Sequence, residues 1–244
     1  MRLAGHTYAF RRRPLEEALD ALSALGLSRV EVWLGHGADG PAAVAEALGR
    51  RGLCAAAVSA GGFYRADSDV PARAGALAEG IGAPVVVMCV APALLAGVPA
   101  RMPSSVAICV ENHWDQPLAS PREVGAALRG FPELAACLDT GHALLAGVRP
   151  ERFVGDLAGR VGHVHMKEAR VPSLAVRALG RRARRRLLAK PAPVVPGEGD
   201  LNVPRLRDAL ATAAFEGTIT VEHEGDDPEG ALRRLLDEWA SAEV

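Results

Sequence analysis

Apolar runs of six to eight residues alternate along the chain with longer amphipathic stretches built on Ala, Leu and Arg. The runs Leu3–Tyr8, Arg29–Leu34, Leu53–Ala60, Pro84–Val90, Val106–Asn112, Leu134–Asp139, Val161–Lys167 and Thr218–Glu224 predict strands. They are short and rich in Val, Ile and Ala, as strands buried on both faces are. Helices are predicted between them. Pro14–Leu25 opens with proline near its first turn and stops at Gly26; Pro41–Arg51 ends at Gly52, and Pro71–Ile81 at Gly82. Pro121–Leu128 ends near Gly130, and Pro150–Leu157, Val203–Ala214 and Pro228–Ala240 complete the set.

Repeated strand-then-helix order predicts a parallel sheet with right-handed crossovers. About eight such units predict an α/β protein folded as a closed (β/α)8 TIM barrel, one domain over residues 1–244. One unit is defective. Between Val90 and Val106 the chain reads APALLAGVPARMPSS, with three prolines. The fourth crossover helix is therefore expected to be truncated over Ala91–Ser105, replaced by a short turn of helix or an extended connection. The strand backs left bare should then be covered by a loop or by a second copy of the chain, which leaves a homo-oligomer open. An open doubly wound sheet is the competing fold. Against it, the first strand is followed by GHTYAFRRRP, which is no glycine-rich phosphate loop.

Composition narrows the function classes. The formal net charge is −1, which argues against a partner recruited by overall charge, whether nucleic acid or an acidic membrane. No apolar run approaches the ~20 residues of a membrane helix, and MRLAGHTYAFRRR lacks a signal-peptide pattern, so a cytoplasmic protein is expected. Cys54, Cys89, Cys109 and Cys137 sit in apolar runs without a CxxC pair and read as buried free thiols. Arg177–Lys190, RALGRRARRRLLAK, reads as a solvated face or lid beside the mouth.

The chemistry lies at the strand ends, where barrels of this kind carry their active sites. AICVENHW ends in Glu111, Asn112 and His113; AACLDTGH carries Asp139 and His142; VGHVHMKE carries His163, His165 and Lys167; TITVEHE carries Glu222, His223 and Glu224. Buried carboxylates are costly without a compensating cation, and three carboxylates with one imidazole around a divalent ion resolve that cost. Such a donor set favours Mn²⁺ or Mg²⁺ and admits Co²⁺ or Zn²⁺.

With the motifs VENHW, LDTGH, HVHMKE, PGEGDLNVPRL and ITVEHE in that order, the chain resembles the xylose isomerase-like TIM barrels. The branch it resembles contains sugar phosphate isomerases and epimerases, tagatose-type 3-epimerases, inosose dehydratases and hydroxypyruvate isomerase. The resemblance implies a metal site of Glu111, Asp139, His165 and Glu222, with substrate contact by His142 and a role for Lys167. It also places Arg170 close to, but out of register with, a substrate-gripping arginine. His6, Asn112 and His113 are further candidates for substrate contact. The reading that follows is isomerisation or epimerisation of a small carbohydrate-like polyhydroxy-ketone through an enediolate at the metal. Glu111 and Glu222 act as acid and base, and His142 or Lys167 stabilises charge. The alternatives are a lyase of the inosose or dehydroshikimate dehydratase type, sharing the first step, and an apurinic-site endonuclease, which the shortage of histidine disfavours.

Neighbouring residues carry plainer readings. His163 shares the face of His165 and is either a partner of the site or a core histidine. Glu31, in RVEVW, is expected to hydrogen-bond backbone or substrate. Glu224 shares the parity of Glu222 but is read as a surface residue. Trp33 and Trp114 either wall the pocket or simply pack.

Overall fold

The computed structural model describes residues 1–242 except 158, 180–182, 184, 185 and 188–190. Eight parallel strands form a closed barrel in sequence order: β1 (Arg2–His6), β2 (Arg29–Trp33), β3 (Cys54–Phe63), β4 (Val85–Val90), β5 (Ala107–Glu111), β6 (Leu134–Asp139), β7 (Val161–Met166) and β8 (Thr218–Val221). Pairing of Leu3 with Ile219 and Gly5 with Val221 closes the ring. Outside it lie α1 (Leu15–Ala24), α2 (Pro41–Gly49), α3 (Val70–Ile81), α4 (Pro121–Leu128), α5 (Thr140–Leu145), α6 (Pro150–Asp156), α7 (Leu174–Ala178), α8 (Val203–Thr212) and α9 (Pro228–Ser241).

The helix boundaries have local causes. Gly82 takes the left-handed conformation (φ 69°) that ends α3, and its N–H returns to the carbonyls of Ala78 and Glu79. Ser120 and Glu123 cap α4 reciprocally. The short helices α5 and α7 are absent from the periodicity reading, being too brief to show a period.

The fourth crossover is truncated as the prolines predict. Two 3-10 segments, Pro92–Gly97 and Pro99–Arg101, occupy it. The loop covers the strand backs itself: Leu95 and Val98 are buried, and α3 leans so close that a Cβ on Gly75 would lie 2.6 Å from Pro103 Cδ. Among the thiols, Cys89, Cys109 and Cys137 are buried and free. Cys54 is exposed, contrary to expectation, because it is the first residue of β3, at the end of the strand away from the mouth.

Alternation along the strands sorts the core. Outward residues such as Val30, Val32, Val164 and Met166 join the large cluster between barrel and helices. Inward residues Ala57, Val87, Cys109 and Cys137 form a second, small-residue layer inside the barrel. Two positions further along their strands, on the same face, come Cys89, Glu111 and Asp139.

Candidate functional site

Glu111 ends β5, Asp139 ends β6, His165 lies on β7 and Glu222 follows β8, so the barrel turns all four into its mouth. Ligand atoms of Glu111, Asp139 and His165 lie within 4.8 Å of one another, as do those of His6, His165 and Glu222. His165 joins the two groups: its Nδ1 is 2.8 Å from Glu111 Oε1 and 3.6 Å from Glu222 Oε2.

Asp139 is the most constrained of the four. The Asn112 amide clasps its backbone, Nδ2 donating to the carbonyl at 3.1 Å and Oδ1 accepting its N–H at 2.8 Å. Asn112, a candidate for substrate contact, thus spends these groups on positioning Asp139. Asp139 Oδ1 accepts the His142 N–H at 2.6 Å and so caps α5. Its other oxygen, Oδ2, is buried without a hydrogen-bond partner. Burial pushes this carboxyl up to about 7 despite the pull of Lys167.

Lys167 Nζ lies 3.0 Å from Glu222 Oε1 and 3.7 Å from Asp139 Oδ2, and it also donates to Glu224 Oε1. Burial opposes its charge, but Glu222, Asp139 and Glu224 outweigh burial and hold the ammonium well above its ordinary value. Glu224 therefore reaches the site, where the sequence reading left it on the surface. For Glu222, burial is outweighed by Lys167, His6 and His165, and its carboxyl falls to about 2. Glu111 falls to about 2 as well: His165 and the Cys89 thiol, which donates to Oε2 at 3.1 Å, overcome burial.

Beneath this ring lies a group that sequence reasoning placed only loosely. Glu31, 0% exposed, meets His165 Nε2 with Oε1 at 3.0 Å and His163 Nε2 with Oε2 at 2.8 Å. His163 Nε2 also lies 2.9 Å from Thr220 Oγ1. His6 Nε2 is 3.5 Å from Glu31 Oε1, and the His6 ring stands edge-on to His165. The available signal was a charged residue inside RVEVW, a strand otherwise apolar at its centre.

His142 and His113 form one wall of the mouth, their ring centroids 3.8 Å apart. Burial, then Lys167 and His113, drive His142 well below its ordinary value, so it is neutral at neutral pH. His113 Nδ1 lies 2.6 Å from Asp115 Oδ1. Trp33 stands edge-on between Tyr8 and His36, and Trp114 is buried. Arg170 is not brought to the cluster; it is exposed and its Nε donates to the Glu198 carbonyl at 3.0 Å. Glu168, which the motif reading passed over, is 5% exposed and accepts from the N–H groups of Ala169, Gly197 and Leu201, pinning the Gly197–Asp200 turn to the end of β7. In the basic segment, Arg177 lines a groove of about 720 Å³ with Arg122, Arg149 and Arg205; Arg181, Arg182, Arg184 and Arg185 lie outside the described residues.

A family model described as xylose isomerase-like TIM barrel matches residues 4–242. An inosose dehydratase from Bacillus cereus (strain AH820) is 29% identical over 96 residues, a stretch spanning 39% of this chain and 32% of that relative's length. The fold is similar to that of a probable 3-DHS dehydratase involved in petrobactin synthesis from Bacillus anthracis, with TM-score 0.72, 14% identity and coverage of 97% of this chain and 98% of that one. It is also similar to a D-allulose 3-epimerase from Methylomonas sp. in complex with D-allulose, with TM-score 0.77, 15% identity and coverage of 99% and 97%. Among the described residues, no helix is long and apolar enough to cross a membrane.

Proposed function

The chain belongs to the xylose isomerase-like TIM-barrel family, and from that premise we propose that it is a divalent-metal-dependent isomerase or epimerase of a small polyhydroxy-ketone. The observation that carries the metal is Asp139 Oδ2, a buried carboxylate oxygen without a hydrogen-bond partner, beside donor atoms of Glu111 and His165. Leaving such an oxygen without a hydrogen bond, with only the Lys167 ammonium 3.7 Å away, is costly, and a cation removes the cost. Glu111, Asp139, His165 and Glu222 would hold it, a set of hard oxygens with one nitrogen that suits Mn²⁺ or Mg²⁺. When bound, the ion polarises a carbonyl and acidifies the neighbouring C–H.

The chain's own residues supply the rest. Glu111 and Glu222 both stay ionised above pH of about 2, so either can accept a proton from carbon at a carboxylate oxygen. Inversion requires the opposing carboxylate first to take a proton from a substrate hydroxyl or from solvent, which it then gives to the other face of the carbon; return of the abstracted proton to the adjacent carbon by the carboxylate that took it isomerises the substrate. Lys167 holds Glu222 in place through Oε1, and its ammonium is placed to stabilise negative charge developing on substrate oxygen. Neutral His142, packed on His113, offers a hydrogen bond to a substrate hydroxyl without adding charge. Residues of the rim, Trp33 and His113 among them, exclude water around the reacting atoms.

A dehydratase is the second reading, favoured by the partial match to an inosose dehydratase. It shares proton removal and then expels a β-hydroxyl as water. One experiment separates the readings: Mn²⁺-loaded protein is incubated with ketoses, ketose phosphates and inososes in D₂O and followed by NMR. Deuterium at the carbon beside the carbonyl, with an epimer or isomer formed, supports the first reading; an unsaturated product supports the second. No exchange into any of these compounds by metal-loaded protein would refute both.

A further inference from the structure

Below the four candidate ligands, Glu31, His163 and Thr220 form a fully buried polar cluster that the proposed reaction leaves unused, although Glu31 and His163 share with His165 a spacing that could itself hold an ion. Glu31, His163 and Thr220 are each 0% exposed. An ionised carboxylate only accepts hydrogen bonds, so ring nitrogens that meet it must carry protons. Glu31 Oε1 faces His165 Nε2 at 3.0 Å and Oε2 faces His163 Nε2 at 2.8 Å. His6 adds a third N–H on the same side. Its Nδ1 accepts the Tyr8 N–H at 3.1 Å, which in the neutral ring leaves the proton on Nε2, 3.5 Å from Glu31 Oε1.

The direction of these bonds has a consequence for His165. A neutral imidazole carries one proton and one lone pair on its two nitrogens. Glu31 holds the proton on Nε2, so Nδ1, 2.8 Å from Glu111 Oε1 and 3.6 Å from Glu222 Oε2, is the nitrogen that gives up its proton to free a lone pair when a cation enters between those carboxylates. Only that tautomer presents a donor to the carboxylate ring. The backbone makes the arrangement reachable. Register shifts occur between Val30 and Glu31 on β2 and opposite His163, between Ala136 and Cys137 on β6. Irregularities of this kind re-aim the side chains beside them. At the second, Gly162 lets the strands approach, since a Cβ there would lie 3.0 Å from both Ala135 Cβ and Cys109 Sγ.

We propose that Glu31 is a positioning residue that fixes the orientation and tautomer of His165, turning Nδ1 toward the metal ligands, and that His163 and Thr220 hold Glu31 in place for that task. The proposal rests on the metal reading above and adds to it a member contributed by β2, a strand that supplies none of the candidate ligands. Glu31 stands 134 residues from His165 in the chain.

The test uses Mn²⁺ alone, titrated into wild type, Glu31→Gln and Glu31→Leu and followed by the electron paramagnetic resonance of free Mn²⁺. In parallel, ring N–H protons are observed by ¹H–¹⁵N NMR on metal-free protein, with the His165 signal assigned by its loss in His165→Gln. Glu31→Leu is expected to weaken Mn²⁺ binding about 10- to 100-fold, the usual worth of such an outer partner, and to abolish the protected Nε2–H signal of His165. Glu31→Gln keeps one accepting oxygen and can hold one ring but not both, so it should lose less; it also decides the matter if the leucine variant fails to fold. Folded variants with wild-type affinity and an unchanged His165 signal would overturn the proposal. So would weakened binding with the His165 signal intact, since the effect would then bypass the tautomer. Failure of the metal reading looks different: wild type itself would bind no Mn²⁺, whatever the ring protons showed.

Discussion

Replacing Lys167 with Met keeps the length of the side chain and deletes one charge from the centre of the carboxylate ring. The ammonium is 14% exposed, Glu222 is 6% exposed, and 3.0 Å separates Nζ from Oε1. At an effective dielectric constant of about 20, that pair is worth on the order of 5 kcal/mol in Coulomb energy. Breaking a buried pair by removing one partner costs about 3–5 kcal/mol in practice. Asp139 Oδ2, 3.7 Å away, and Glu224 lose a compensating charge as well. In a chain of this size about 1 kcal/mol moves Tm by about 2–4 °C, so metal-free Lys167→Met should unfold about 6–20 °C below wild type. A divalent cation should reverse the loss. At a hundred times Kd, ligand binding contributes about 2.7 kcal/mol, or about 5–11 °C in the wild type. The variant should gain more than that, because no ammonium then repels the incoming ion from Asp139. Thermal unfolding with and without Mn²⁺ is the assay. A metal-free variant within about 3 °C of wild type, or a Mn²⁺ shift no larger than the wild type's, would refute the placement of Lys167 as the site's resident counter-charge.

Other outcomes follow from the same geometry. Glu222→Gln should lower turnover by at least about 10²-fold while Mn²⁺ binding weakens only modestly; near-normal kcat with bound metal would move the base to Glu111. Burial raises Asp139 to about 7, above its unfolded value, so this group stabilises the metal-free protein in acid and the contribution fades as pH rises through about 7. Mn²⁺ affinity should run the other way, with Kd increasing up to about tenfold per pH unit below about 7; titrations from pH 5 to 8 check this, and Asp139→Asn should flatten the profile. Glu168→Ala removes a buried acceptor from three backbone N–H groups. Charge-assisted bonds of this kind are worth about 1.5–3 kcal/mol, so hydrogen exchange at Gly197 and Leu201 should accelerate by one to two orders of magnitude while β1 to β4 remain protected.

The parts of the molecule legible in its sequence share one property: their causes are local. β6 is bounded as predicted at Leu134–Asp139, because an apolar run between turn residues has nowhere else to go. α4 spans Pro121–Leu128 as predicted, with Ser120 capping it. The truncated fourth crossover was written in its prolines and its length. Where the expectations shift, the strand ends shift: Thr218–Glu224 shortens to Thr218–Val221, and Glu222 keeps one bond to β7, its N–H on the Met166 carbonyl, before His223 and Glu224 turn away, so that Glu222 and Glu224 both meet Lys167.

Sequence alone thus determined the eight strands to within a few residues at their ends, and that Glu111, Asp139, His165 and Glu222 stand near the ends of four of them. It could not determine what their side chains meet. A period of two puts His163 on the face of His165, and Glu31 was expected to bond backbone or substrate; their encounter across 132 residues depends on closure of β1 against β8 and on the local register shifts. Arg170 and Glu168 illustrate the same limit two residues apart, one turned outward onto Glu198 and the other inward under the Gly197–Asp200 turn. The physical reason is that hydrophobic alternation is a property of neighbours in the chain, whereas the pairing of a buried charge is decided by whichever polar groups the closed barrel brings within about 3 Å of it.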